Sequence, residues 1–97
     1  MLRVDPSPDG LCLAGVVDLS TREALVRGLA GLPCSDGDVH LHLDDVTFVD
    51  AGGVKAFIDL AVRLGPGRTV LLHAPPEGLR RLLQSMFAVP ANLSVVS

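Results

Sequence analysis

Val46-Thr47-Phe48-Val49-Asp50-Ala51-Gly52-Gly53 carries an apolar run into an acid and two glycines, and an amphipathic helical pattern opens directly after it. A strand that ends in a capping acid and turns through bare backbone into a helix marks a βα unit, with N–H groups presented at the turn. Asp50 is the expected N-cap, which puts Ala51, Gly52 and Gly53 in the first turn. A glycine in a helix costs about 1 kcal/mol against alanine, somewhat less near an end. Two together are a local conflict, and such conflicts gather at functional or close-approach positions. The plain alternative is a tight strand–helix contact that excludes Cβ. No serine, threonine or cysteine stands at Ala51, Gly52 or Gly53, so the turn has no atom for covalent chemistry.

The flanking residues extend this unit in both directions. Val54, Phe57, Ile58, Ala61 and Val62 form one face of the following helix, which Gly65-Pro66 terminates. Upstream, Val39-His40-Leu41-His42-Leu43 alternates with period two as a half-buried strand and runs into Asp44-Asp45. Before it, Asp18 and Ser20 are N-cap candidates, and Ser20 with Glu23 fits a capping box. Leu25, Leu29 and Leu32 follow at helical spacing, and Pro33 closes that helix. Leu2-Arg3-Val4 and Leu11-Cys12-Leu13-Ala14 read as strands of a hairpin around the turn Asp5-Pro6-Ser7-Pro8-Asp9-Gly10.

Downstream, Thr69 to His73 is a strand and Pro75-Pro76-Glu77 opens a third helix with Leu79, Leu82, Leu83, Met86 and Phe87 on its apolar side. Leu93 to Val96 is a last strand. The order β-β-α-β-α-β-α-β predicts a single α/β domain over residues 1–97, with an N-terminal hairpin and mostly parallel strands joined by right-handed crossover helices.

Composition narrows the functional classes. With 48% hydrophobic but only 3% aromatic residues, the core must be built from Leu, Val and Ala, and no platform for stacking bases or sugars exists. A net charge of −3 argues against nucleic acid or an anionic membrane as partner. The longest apolar run is too short to span a bilayer, so a cytoplasmic chain is expected. Cys12, within a strand pattern, reads as a small core residue; a disulfide with Cys34 is not expected in that setting.

Asp18, Asp44, Asp45 and Asp50 all fall at carboxyl ends of predicted strands, the edge where open α/β sheets form crevices. Clustered acids could hold Mg²⁺ or carry an aspartyl phosphate, as in a receiver domain. That fold needs five βα units and a late lysine, whereas this chain opens with a hairpin and its one lysine is Lys55. Helix capping is the plain reading of each acid. His40 and His42 share a strand face and His73 belongs to a neighbouring strand; three imidazoles could ligate zinc, or simply mark an outward face. Phosphate-loop, nucleophile-elbow and dinucleotide motifs are absent, so no enzyme, metal or cofactor is expected.

At this point the residues resemble a family. Gly15-Val16-Val17-Asp18-Leu19-Ser20-Thr21 is similar to the G-x-x-D-x-x-T segment of STAS domains, the fold of bacterial anti-sigma factor antagonists and of sulfate-transporter tails. Val39 through Val54 is similar to the family's second block, an apolar strand, D-x-S/T, then D-S-S/A-G. The family's final helix is not evident after Val96.

The resemblance implies a non-catalytic module that binds a histidine-kinase-like anti-sigma factor and so acts on transcription indirectly. Its contact residues would be Asp18, Ser20, Thr21, Asp44, Asp50, Ala51, Gly52, Gly53, Lys55 and Asp59. It also implies that Ala51 stands where the kinase phosphorylates a serine. A methyl group accepts no phosphate, so the charge that would break the complex never arises. An accessory or scaffold subunit beside an ABC transporter ATPase, or within a larger signalling complex, needs no acceptor and fits Ala51 equally well. A nucleotide-sensing STAS domain is disfavoured, since no glycine cradle with a basic residue is present.

Overall fold

A computed structural model describes residues 1–32, 37–85 and 88–96. The elements follow the expected order: β1 (Leu2–Ser7), β2 (Gly10–Val17), α1 (Arg22–Ala30), β3 (Val39–Val49), α2 (Ala51–Leu64), β4 (Val70–His73), α3 (Glu77–Ser85) and β5 (Leu93–Val96). The five strands lie side by side in chain order, β1 antiparallel to β2 and the remaining neighbours parallel. A sheet order that never reverses has no topological switch point. Crossovers of one hand then place their helices on one face, and the buried residues of α1, α2 and α3 do share a single core with the sheet. The carboxyl ends of β2 and β3 therefore share an edge without the switch-point crevice of doubly wound sheets.

Three features of the strands differ from the sequence expectation. The hairpin turn is only Pro8-Asp9: Ser7 pairs with Gly10, and Pro6 sits within β1 opposite Leu11. Edge strands tolerate proline because one side of their ladder is unused. Cys12 is exposed rather than buried, since the core face of β2 belongs to Leu11, Leu13 and Val17. Cys34 and Pro33, like Met86 and Phe87, lie outside the described residues.

The third difference is in β3, which is one continuous strand of 11 residues. Against β2 its register slips twice, between the pairs Cys12–His42 and Ala14–Asp45 and again between Gly15–Val46 and Val16–Phe48. Each slip inserts one extra β3 residue, a bulge. The buried positions consequently pass from alternate residues (Val39, Leu41, Leu43) to every third residue (Val46, Val49). Asp44 and Asp45 are thus exposed in mid-strand and do not end one. Phe48, read as part of the apolar strand, points outward.

In α2 the buried face is Gly53, Val54, Phe57, Leu60 and Ala61; Ile58 is half-buried and Val62 is exposed, so Leu60 takes the place expected of Val62. The helix stops at Gly65, whose φ of 83° suits glycine. Beyond it, the Asn92 side-chain amide donates to the carbonyls of Ala61, Gly65 and Arg68 at 2.7, 2.9 and 3.0 Å. That amide ties the end of α2 to the entry of β5.

Candidate functional site

Two loops meet at one edge of the sheet. The Asp50 amide donates to the Val17 carbonyl at 3.0 Å, which locks the end of β3 to the end of β2. Residues 18–21 and the head of α2 are therefore held together at that edge, the Arg22–Asp50 bond adding a second tie.

The first loop is self-bonded. The Asp18 carboxylate accepts from the Ser20 hydroxyl at 2.6 Å and from the Ser20 and Thr21 amides at 3.0 and 3.2 Å. Ser20 is not the cap of α1, and no Ser20–Glu23 capping box forms; the N-cap position is Thr21. Thr21 is buried, and its hydroxyl donates to the Val16 carbonyl at 2.9 Å, so it braces the loop from beneath.

The bonds from Ser20, strongest from its hydroxyl, hold the Asp18 carboxyl below its ordinary value. A depressed native pKa stabilises the fold fully above the unfolded value of about 3.9, and the contribution is lost as pH falls through the lowered native value. Ser20→Ala is expected to move the Asp18 titration upward, toward that ordinary value. Carboxyl-carbon NMR against pH checks it; an unmoved midpoint would show that the hydroxyl is not the cause.

At the second loop Asp50 caps α2, one carboxylate oxygen accepting from the Gly53 amide at 2.8 Å. Its other oxygen accepts from Arg22 at 3.0 Å. Arg22 was not among the residues expected here: it lies 28 positions away, and no local pattern connects it to Asp50.

Arg22 also accounts for Gly52. A Cβ at position 52 would collide with the Arg22 guanidinium. At Gly53 a Cβ would stand 2.5 Å from Val17 Cγ1 and 2.9 Å from Val49 Cγ1. Gly53 is therefore the close approach of helix to strand, and Gly52 makes room for a cation.

Ala51 is exposed at the head of the helix. Lys55 and Asp59, one and two turns on, form an exposed i,i+4 pair at 3.0 Å. Gly53 lies buried beneath the surface rather than on it. Asp44 stands apart: six residues before Asp50 on β3, it is up to about 20 Å away at roughly 3.3 Å per strand residue. Two exposed apolar residues flank the edge without having been expected there, Leu19 in the first loop and Phe48, which is level with Val16.

On the sheet face opposite the helices, His40 Nδ1 and His73 Nε2 lie 2.7 Å apart, and His42 Nε2 lies 3.0 Å from Asp9 Oδ1. That bond to His42 is the main reason the Asp9 carboxyl is held low. The histidines do gather, as their strand positions expected, but their ring nitrogens engage one another and Asp9. Among the described residues no group of three or more His, Cys, Asp or Glu is arranged to hold a metal ion. Nor is any described helix long and apolar enough to cross a membrane.

Against known families, the model described as "Mlab, STAS domain" matches residues 1–87. No curated protein matches the chain.

Proposed function

The chain belongs to the STAS domain family, whose members generally serve as non-catalytic modules for protein–protein contact, and on that premise we propose that it is an anti-sigma factor antagonist-like module lacking the phosphoacceptor. In this reading it docks on a histidine-kinase-like anti-sigma factor through Asp18, Ser20 and the head of α2, and releases a sigma factor constitutively. The observation that carries the reading is Ala51, an exposed methyl group at the first position of a helix whose cap and charge are already satisfied by Gly53 and Arg22. A surface so arranged is preorganised for contact, and the head of α2 offers no hydroxyl for phosphoryl transfer. Leu19 and Phe48 add exposed apolar area at its rim, the kind of surface a partner buries.

The test is co-purification with a kinase-like anti-sigma factor, with and without ATP. The complex is expected to survive ATP undiminished. ATP-dependent loss with the unaltered chain overturns the reading. Failure to form any complex shifts the assignment to the accessory or scaffold role beside a transporter ATPase, for which Ala51 is equally suitable.

A further inference from the structure

Beside the head of α2 runs a groove of about 390 Å³ between α1 and α2. Its floor is Leu29 and Leu60 of the core, with Ala56 and the half-exposed Val26 above them. Its rim carries Arg22, Lys55 and Arg63; Arg22 pairs with Asp50 and Lys55 with Asp59, so the surplus of positive charge is at Arg63, which among the described residues bonds only a carbonyl. In a chain of net charge −3 this is a local reversal of sign.

The two helices run parallel. Arg22 at the start of α1 reaches Asp50 at the start of α2, and Arg63 at the end of α2 donates to the Leu29 carbonyl at 3.1 Å near the end of α1. The two guanidinium groups thus bracket the groove at its ends. Along α1 the two anchoring positions, Arg22 and Leu29, are seven residues apart, about 10 Å of helix axis at 1.5 Å per residue. Each guanidinium has five N–H donors, so one bond apiece leaves capacity for a ligand carboxylate.

We propose that this groove receives an amphipathic helical segment of the partner protein, with acids at i and i+7 meeting Arg22 and Arg63 and apolar side chains at i+3 and i+4 filling the floor. Two helical turns of such a segment span the same length as the run of α1 from Arg22 to Leu29, and the apolar pair between the acids faces Leu29, Ala56 and Leu60. The proposal rests on the binding-module reading and specifies the chemistry of the segment that such a partner would present.

The test uses two synthetic helical peptides that share leucines at positions 4 and 5 and differ at positions 1 and 8, glutamate in one and lysine in the other. Each is titrated into the ¹⁵N-labelled chain and followed by amide chemical shifts. The glutamate peptide is expected to bind about tenfold more tightly than the lysine peptide, the scale of two exchanged surface charge contacts, with shifts concentrated at Val26, Ala56 and Leu60. Arg63→Glu, an exposed position, is expected to abolish or invert that preference, and the same spectra report whether the variant is folded. Equal affinity for both peptides overturns the proposal, as do shifts confined to another face or the absence of binding by either. No kinase-like protein is present in this assay. A bound glutamate peptide alongside a failed co-purification therefore removes the anti-sigma reading and leaves the groove.

Discussion

Phe57→Ala is expected to remove about 3–5 kcal/mol of stability, the usual cost of emptying a phenylalanine site in a core. Domains of this size hold about 5–15 kcal/mol in total, so the variant should be partly unfolded near physiological temperature. The composition explains why one residue weighs so much. The chain has three phenylalanines and no Trp or Tyr. Phe48 is exposed, while Phe57 has no accessible surface and is the bulkiest fully buried side chain among the described residues. Among the described residues the rest of the buried core is Leu, Val and Ala, with no second ring to fill the void. Phe57→Leu, which conserves most of the volume, should cost less than about 1.5 kcal/mol. Urea unfolding checks both, through a lowered midpoint with unchanged slope. Similar midpoints for the two variants would refute the account.

The second large effect separates the two adjacent glycines. Gly53→Ala is expected to destabilise by about 1–3 kcal/mol, because the new methyl meets Val17 and Val49, both buried and both stiff at χ1. The gain in helix propensity, at most about 1 kcal/mol, offsets only part of that. Gly52→Ala meets only the far end of a flexible arginine. Displacing Arg22 from Asp50 forfeits an ion pair that is partly exposed and worth about 0–1 kcal/mol, and the propensity gain cancels it. Gly52→Ala should therefore stay within about 0.5 kcal/mol of the parent. Equal effects at the two positions would mean that the strand contact is not what requires Gly53.

These glycines also show how far the site could be read in advance. The conflict with helix propensity was visible in the one-dimensional pattern, and so was its plain explanation, a close approach without Cβ. The identity of the neighbours was not. Val17 is 36 positions from Gly53 and Arg22 is 30 from Gly52, and only the parallel pairing of β2 with β3 and the parallel packing of α1 on α2 bring them together. The acids divide in the same way. Asp50 as N-cap is a local event and appears as expected. Asp44 reads as a strand end because the alternation of Val39 to Leu43 gives way there to two acids; a bulge instead carries both through as exposed mid-strand residues. Cys12 was misread because residue type suggested burial while the face of β2 is set by its leucines.

What the amino-acid order determines by itself is the set of elements and their succession: periods of two and near 3.6, an acid before a helix, and glycine and proline after one are all local signals that act within a few residues. Tertiary structure alone decides the rest. Strand order without reversal puts every described helix on one face, two bulges set which side of β3 is buried, and α1 beside α2 makes a basic groove in an acidic chain. Those outcomes depend on contacts between residues some 30 positions apart, whose free energy arises only when the whole sheet closes on its helices.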